Sequence, residues 1–189
     1  MKNETSKLGY KQIFCLLCLL WFVINIIQAL VMDIISDESY YGLYGKYLDW
    51  GYYDHPPMVA LWVAISSFFF KGNLGIRFLT VLLQPLTLFL IWKTIDHKNP
   101  TVKEVVTFFI ISASIVMFSA YGVITTPDAP LLLFTALFIY AYKRFLYKED
   151  WTAVVLLMIA MAGMVYSKYQ AVLVIGFTVL SNIKLLKYP

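Results

Sequence analysis

Seven apolar runs dominate this sequence, and their lengths limit the folds that the chain can adopt. They cover about residues 13–32, 57–70, 74–95, 103–121, 129–146, 151–167 and 169–186. Most of them approach the roughly 20 residues that an α-helix needs to cross about 30 Å of hydrocarbon. Charged residues make up 14% of the chain, against about 25% in a soluble domain, and the mean hydropathy is +0.74. The sequence therefore predicts an all-α polytopic membrane protein.

The run 57–70 is the exception, because it has only fourteen residues and begins within a double proline. If it stays at the interface, eleven of the 15 basic residues collect on one side of the membrane. Basic residues concentrate in cytoplasmic segments, so we predict six transmembrane helices with both termini cytoplasmic. Because these residues lie between apolar runs, the charge does not indicate a nucleic-acid partner. The eleven are Lys2, Lys7, Lys11, Lys93, Lys98, Lys103, Lys143, Arg144, Lys148, Lys184 and Lys187.

This topology makes residues 33–73 one long external segment that is rich in acidic and aromatic side chains. Ser36 is a plausible N-cap for a short helix over about 37–49, and a second helix is expected to run to about residue 70. We predict that both helices lie along the membrane surface. The whole chain, 1–189, is interpreted as a single transmembrane domain with 33–73 as its external loop.

Two pairs of polar residues in this loop could carry chemistry. Asp37 and Glu38 are adjacent carboxylates just beyond the first predicted span, and one of them could act as a general base. The alternative is an ordinary acidic first turn of a helix. Asp54 and His55 could bind a metal ion or an anion, or simply form a polar turn before the next helix.

Two further residues are predicted on the same external side. Asp128 heads a predicted span in the string TTPDAP, where it is either a site residue or a helix-start residue. Lys168 is an external lysine that could neutralise a lipid phosphate, or could simply extend to the headgroup region. The cysteines, Cys15 and Cys18, lie in the first apolar run, and we interpret them as small residues of a membrane helix rather than as a redox or zinc motif.

Three strings, in this order along the chain, resemble motifs of GT-C class membrane glycosyltransferases. They are SDESYYGLYGKYLDWGYYDHPPMVALW, TTPDAPLLLF and GMVYSKYQAVL, and the resemblance covers about residues 10–180. The most similar group is related to protein O-mannosyltransferases, the lipid A aminoarabinose transferase and the rhizobial core transferases. Because members of this group are longer, we expect these residues to correspond to their N-terminal part.

The resemblance implies an inverting hexosyl- or pentosyltransferase that takes a sugar from a polyprenyl phosphate at the outer leaflet of the inner membrane. The acceptor would be lipid A, a polysaccharide or a protein hydroxyl. Asp37 matches the catalytic carboxylate and Glu38 its acidic neighbour. Asp54 matches a position that holds a divalent metal ion in one branch, so a divalent metal ion could bind there, and the resemblance implies no other cofactor. Substrate or lipid-phosphate binding is implied for Tyr40, Tyr53, His55, Asp128 and Lys168.

The sequence departs from the pattern of the aminoarabinose transferases at two positions. Tyr40 stands where the aminoarabinose transferases have an arginine, and His55 stands where they have a lysine. Two other classes of function stay open at this point: a transporter or flippase-like subunit, and a non-catalytic lipid-binding subunit. Transporters place ionisable residues near the middle of the membrane, whereas here the polar residues gather at one interface.

Overall fold

The computed structural model describes residues 9–95, 97–148 and 150–182, and all of the regular structure in these ranges is α-helical. The described chain contains α1 Tyr10–Val31, α2 Ser36–Lys46, α3 Met58–Phe69, α4 Gly72–Ile95, α5 Val102–Ser114, α6 Val116–Ser119, α7 Asp128–Lys148, α8 Trp151–Ser167 and α9 Ala171–Ser181. Several of these helices are apolar enough to cross a membrane, which confirms the all-α polytopic fold class. Lys2, Lys7, Lys184 and Lys187 lie outside the described residues.

Three helices are both long and apolar enough to span a bilayer. They are α1, α4 and α7, with 22, 24 and 21 residues, and at about 1.5 Å per residue each exceeds about 30 Å. Shorter apolar helices are α3, α8 and α9. The predicted run 103–121 is divided, because Ile115 has an extended backbone between α5 and α6. The count of six spans therefore stays a prediction.

Helix α4 occupies the centre of the molecule and contacts most of the others. Leu88 packs with Phe14 of α1 and with Val105 and Phe109 of α5. A second cluster of buried side chains joins α4 to α3 and α7, and its members are Trp62, Leu90, Leu133 and Ala136. Outward from this core, α1 exposes a continuous apolar face, which suits lipid rather than water.

Helices α7 and α8 form an antiparallel pair that meets at small residues. Gly163 of α8 lies directly against the ring of Phe134, and Ala160 and Met164 pack with Phe138. At the turn between the helices, the Asp150 carboxylate accepts hydrogen bonds from Arg144 and from the backbone N–H of Ala153. The carboxylate therefore caps α8 and ties it to α7.

Within residues 33–73, helix α2 is shorter than the sequence suggested, and its cap differs. Helix α2 ends at Lys46 rather than near residue 49, and α3 ends at Phe69, close to the predicted boundary. The N-cap of α2 is Ile35, not Ser36. The physical reason is that the Glu38 carboxylate accepts from the backbone N–H of Ile35, which satisfies that helix end without a serine hydroxyl.

Helix α3 lies between α2 and the helices of the bundle. Its twelve residues would span only about 18 Å, too short to cross the bilayer. Val59 and Val63 pack against Tyr41 of α2, while Trp62 faces α4 and α7. Gly72 then turns the chain into α4 with a positive φ of 63°, a conformation that glycine adopts without steric cost. The turn places α3 and the start of α4 beside each other.

Candidate functional site

The candidate site is built at one end of the bundle from α2, the 47–57 loop, the start of α7 and the turn between α8 and α9. Helix α2 is fastened there by a buried ion pair. Glu38 and Arg77 have fully buried side chains, and Arg77 Nη2 lies 2.5 Å from Glu38 Oε2. Because two unpaired charges at this depth would be strongly unfavourable, the pair fixes α2 against α4.

Every polar atom of this pair has a partner. Arg77 Nε donates to Glu38 Oε1 at 2.7 Å, and its Nη atoms also donate to the carbonyls of Met32 and Asp33. Glu38 Oε1 further accepts from the backbone N–H of Thr125 at 3.0 Å. The ion pair thus connects α2 to the end of α1, to α4 and to the segment before α7. Glu38, one of the two predicted catalytic carboxylates, is enclosed by protein groups.

Asp37 differs sharply from its neighbour. Its side chain is exposed in the first turn of α2, and among the described residues it has no hydrogen-bond or ion-pair partner. Adjacent residues are about 100° apart around the helix axis, which allows Glu38 to face the interior while Asp37 faces the solvent. Asp37 therefore presents a free carboxylate at the surface of the site.

Asp54 is held by hydroxyl groups from α2. Its Oδ1 atom accepts hydrogen bonds from Tyr44 at 2.9 Å and from Tyr40 at 3.1 Å. Desolvation acts to raise the pKa of Asp54, but the hydrogen bonds from Tyr44 and Tyr40, together with nearby His55, outweigh it and hold that pKa below its usual value. Asp54 is therefore anionic at neutral pH.

A second tyrosine contact orients the loop that carries Asp54. The ring of Tyr52 stacks on that of Tyr44 with centroids 3.7 Å apart, and the Tyr52 hydroxyl donates to the backbone carbonyls of Tyr44 and Tyr47. This stacking and hydrogen bonding closes the 47–57 loop over α2. Tyr53, which was predicted to bind substrate, points away from these contacts with a fully exposed side chain.

Besides the buried Arg77, the site contains one lysine and one histidine, Lys168 and His55. His55 Nε2 lies 3.6 Å from Asp54 Oδ2, and its ring packs edge-on against Tyr41 with centroids 5.7 Å apart. Lys168 Nζ lies 2.7 Å from Asp128 Oδ1, and about a quarter of its side chain is exposed. Asp128 and Lys168, forty positions apart, are thus direct partners, and the side chain of Lys168 remains partly accessible to solvent.

Tyr41 marks the point where these segments converge. Burial and, to a smaller extent, the negative charges of Asp37, Asp54 and Asp128 together raise its pKa to about 12. The rings of Tyr40 and His55 pack against the ring of Tyr41, with centroids 5.5 and 5.7 Å away. The structure therefore brings together Asp37, Tyr40, Asp54, His55 and Asp128, with Lys168 bound to the last of them.

Four residues of the site were not identified from the sequence: Tyr41, Tyr44, Tyr52 and Arg77. One signal pointed to Arg77, because the predicted topology made it an external basic residue, which opposes the charge bias of the chain. The tyrosines gave no such signal, since aromatic residues are common in any segment at a membrane surface.

The metal prediction for Asp54 depends on the groups around it. Among residues 9–95, 97–148 and 150–182, no group of three or more His, Cys, Asp or Glu side chains comes together as a metal site. Asp54 and His55 alone provide too few ligands for a closed site, and Oδ1 of Asp54 is already bound by two hydroxyls. These residues do not fit a metal held by protein ligands alone.

Beside the polar residues lies an open apolar cavity of about 680 Å³. Its wall combines the 47–57 loop, the first turns of α3 and the end of α8. The lining side chains are those of Leu48, Asp49, Trp50, Pro57, Met58, Leu61 and Tyr166. Pro57 and Tyr166 are each two residues from a group of the polar site, His55 and Lys168, so an apolar chain in the cavity would lie close to both.

Comparison with known proteins identifies the class to which this arrangement belongs. A family model described as dolichyl-phosphate-mannose-protein mannosyltransferase matches residues 54–186, which include Asp54, His55, Asp128 and Lys168. No curated protein and no solved structure matches the chain. A match over well more than half of the chain identifies the family, and the apolar helices agree with its membrane setting. The chain therefore belongs to the dolichyl-phosphate-mannose-protein mannosyltransferase family, a group of multi-pass membrane glycosyltransferases of the GT-C class that use polyprenyl-phosphate sugar donors.

Proposed function

We propose that this protein transfers a sugar from a polyprenyl phosphate to a hydroxyl group at the outer leaflet of the inner membrane, with inversion and with Asp37 as general base. The observation that carries the proposal is the free carboxylate of Asp37. It lies beside the site, it is exposed, and it has no partner among the described residues. The acceptor would be lipid A, a polysaccharide or a protein hydroxyl.

The proposed reaction is one displacement at the anomeric carbon. Asp37 takes the proton of the acceptor hydroxyl as the acceptor oxygen forms its bond to that carbon. The bond between the carbon and the phosphate oxygen breaks, and the lipid phosphate leaves with the electron pair. A positioned general base contributes about 10²–10⁴-fold to such a step. No step of this mechanism uses a metal ion.

Lys168, with His55 when protonated, is proposed to stabilise the departing phosphate. Lys168 is partly exposed and keeps Asp128 as a partner, so its position is fixed before a phosphate approaches. Preorganised cations of this kind act where negative charge develops in the transition state. His55 is held between Asp54 and Tyr41, which fixes its ring in the same region.

The apolar cavity is the proposed location of the first isoprene units of the donor. Its walls of Leu, Met, Trp and Tyr suit a hydrocarbon chain, and the open side allows the chain to continue into the bilayer. A donor with its tail there and its phosphate near His55 and Lys168 would place the sugar towards α2. Residues 33–73 are accordingly proposed as the external catalytic loop of one transmembrane domain, with both termini cytoplasmic.

Glu38 is proposed to position Asp37 rather than to transfer a proton. Both of its oxygens already accept hydrogen bonds from Arg77, Thr125 and Ile35. A carboxylate in that environment has no route to an acceptor hydroxyl. Its contribution is to hold the first turn of α2 against α4, so that the adjacent Asp37 has a fixed place at the site.

The test is a transfer assay on the full-length protein in nanodiscs, supplied with polyprenyl-phosphate sugars, with release of the lipid phosphate as the readout. We expect Asp37→Asn to lose at least about 100-fold in turnover. The matched control is Asp33→Asn, because Asp33 has an exposed side chain in the same segment, and this variant should keep most of the activity.

Wild-type turnover by the Asp37→Asn variant would refute the assignment of the base. If the unaltered protein binds polyprenyl phosphate but releases none from any donor sugar, the protein is a lipid-binding subunit instead. Movement of the lipid between leaflets without sugar transfer would identify a flippase-like function.

A further inference from the structure

A cavity of about 410 Å³ lies on the other side of α2 from the candidate site. Leu43 and Lys46 of α2 line it, together with Phe70, Lys71 and Ile76 from the turn between α3 and α4 and the start of α4. Lys46 follows Asp37 by nine residues, which corresponds to about 180° around the helix axis. The cavity therefore shares an end of the bundle with the candidate site but opens in a different direction.

The cavity collects the basic residues of this end that have no acidic partner. The predicted topology leaves four basic residues on the side of the candidate site, namely Lys46, Lys71, Arg77 and Lys168. Arg77 is paired with Glu38, and Lys168 is paired with Asp128. The other two both line the cavity. Two lysines that oppose the charge bias of the chain thus share one concave surface.

The charges of these two lysines are not compensated within the described chain. Among residues 9–95, 97–148 and 150–182, neither lysine has a carboxylate at ion-pair distance. Lys71 Nζ donates to the backbone carbonyl of Ser67 at 3.1 Å, a neutral acceptor that leaves the positive charge in place. Glu38, which lies on the same helix as Lys46, is already paired with Arg77. The cavity is therefore suited to an anion.

The acidic positions outside the described ranges adjoin helix ends that are far from the cavity. Glu4 precedes the start of α1, and Asp96 and Glu149 follow the ends of α4 and α7. The opposite ends of these helices are the ones near α2, because Arg77, near the start of α4, donates to the carbonyl of Met32 just after α1, and α7 begins at the candidate site. Each of the three helices has more than 20 residues, or over about 30 Å.

The surroundings of the cavity are apolar. Phe68 and Phe69, which immediately precede its lining residue Phe70, have exposed fractions of 81% and 64%, and Leu43 is 53% exposed. Exposed apolar side chains at the end of a long apolar helix are favourable in a bilayer and unfavourable in water. A ligand that fits this position combines a negative charge with an apolar part.

We propose that this cavity binds the phosphate group of an anionic membrane lipid, in the leaflet on the side of the candidate site. Lys46 and Lys71 hold the phosphate, while Leu43, Phe70 and Ile76 contact the apolar part of the lipid. Basic pockets between helices at headgroup level bind anionic headgroups in this way. The cavity shares no lining residue with the apolar cavity beside the candidate site, so this lipid is additional to the sugar donor.

The test compares lipid binding by the full-length protein and three double variants. The cavity variant is Lys46→Gln with Lys71→Gln, and Lys46→Arg with Lys71→Arg retains the charge. The matched control is Lys11→Gln with Lys103→Gln, which removes the same charge from exposed positions at the opposite end of the bundle. Native mass spectrometry titrates each protein with phosphatidylglycerol and with phosphatidylcholine, and a third series adds inorganic phosphate as competitor.

We expect the cavity variant to bind phosphatidylglycerol at least about tenfold more weakly, and the control and arginine variants to change by less than about twofold. Phosphatidylcholine, whose choline cancels the phosphate charge, should bind all four proteins weakly and alike. Equal losses in the cavity variant and the control would show a diffuse charge effect and would overturn the proposal. Displacement of the lipid by millimolar inorganic phosphate would overturn the assignment to a lipid in favour of a free anion.

A second measurement uses the unaltered protein and does not depend on the folding of any variant. Acetylation of lysines, followed by mass spectrometry, reports the accessibility of each amine in detergent with and without phosphatidylglycerol. We expect the lipid to slow acetylation of Lys46 and Lys71 at least about fivefold, and that of Lys103 less than about twofold. Unchanged acetylation at the two cavity lysines, or equal protection of all three, would contradict a lipid site in this cavity.

Discussion

Glu38 and Arg77 lie in the interior of the protein with both charges satisfied by protein groups. Their side chains are fully buried. The pair also forms hydrogen bonds with five backbone groups, near α1, at the start of α2 and in the segment before α7. Removing one partner of such a pair leaves a charge without compensation, whereas removing an exposed charge does not. We therefore expect substitution of Glu38 to lower the stability of the fold, and substitution of its neighbour Asp37 to leave that stability unchanged.

Glu38→Gln should destabilise the fold by about 3–5 kcal/mol, because Arg77 would remain buried without a counter-charge. The measurement is thermal unfolding of the purified protein in detergent. Glu104→Gln is the matched control: Glu104 faces His97 with nearly half of its side chain exposed, and glutamine can keep its cap on Thr101. The control should unfold at the wild-type temperature. Equal unfolding temperatures for the two variants would show that the buried pair does not hold α2.

Asp37→Asn should leave the unfolding temperature unchanged, even though it abolishes turnover in the proposed mechanism. The reason is that Asp37 is exposed and has no partner among the described residues. Thermal unfolding measured beside the transfer assay separates loss of catalysis from loss of folding. A large drop in stability would mean that Asp37 supports α2, and its role as base would then lose its main support.

The helices of the bundle meet at positions where the side chains leave little room. A Cβ atom added at Gly163 would overlap the ring of Phe134, whereas one added at Gly176 would have nothing within 4 Å. Gly163→Ala should therefore separate α7 from α8 at a cost of about 1–3 kcal/mol. Gly176→Ala is the matched control and should be neutral or slightly stabilising, since alanine favours a helix.

Thermal unfolding distinguishes the two glycine variants, and a second substitution tests the cause. Phe134→Leu combined with Gly163→Ala should recover part of the lost stability, because a smaller side chain makes room for the methyl group. If Gly163→Ala behaves like Gly176→Ala, the close approach of the two helices is not required for folding.

Whether α3 crosses the membrane determines the side on which each later loop lies. We expect it to stay on the side of the candidate site, because its length is insufficient to cross the bilayer and its buried face packs on α2. Lys71→Cys, in a protein whose Cys15 and Cys18 are replaced by alanine, should react with a membrane-impermeant maleimide from the periplasmic side. Trp50→Cys, also exposed, is the control for that side. Reaction at residue 71 only from the cytoplasm would place α3 across the membrane.

For the whole molecule, the candidate site and the C-terminal end of α7 should open to opposite compartments. Trp50 and Tyr147 have strongly exposed side chains at these two ends. Trp50→Cys should be labelled in intact cells, and Tyr147→Cys only after the inner membrane is made permeable. Labelling of both positions from the same side would contradict the proposed topology, and with it the assignment of the site to the outer leaflet.

Much of the architecture could be predicted from the sequence, because apolar length and the distribution of basic residues depend on the chain and the bilayer alone. The all-α fold class followed from that pattern, as did the two short helices within residues 33–73. The predicted external residues Asp54, His55, Asp128 and Lys168 lie in the region matched by the family model. The end of α2 and the break at Ile115 were missed, because both depend on local packing.

Other features were decided only by the tertiary structure. Asp37 and Glu38 are adjacent and chemically alike, so no local pattern shows which one is enclosed. The difference arises because Arg77, 39 positions further along the chain, meets only Glu38. Likewise the pairing of Asp128 with Lys168 and the hydroxyl contacts to Asp54 join segments that are distant in sequence. The sequence by itself determined which segments are apolar enough for a membrane, because that depends on composition along the chain. Which side chains remain free for chemistry depended on contacts between segments that are far apart in the sequence.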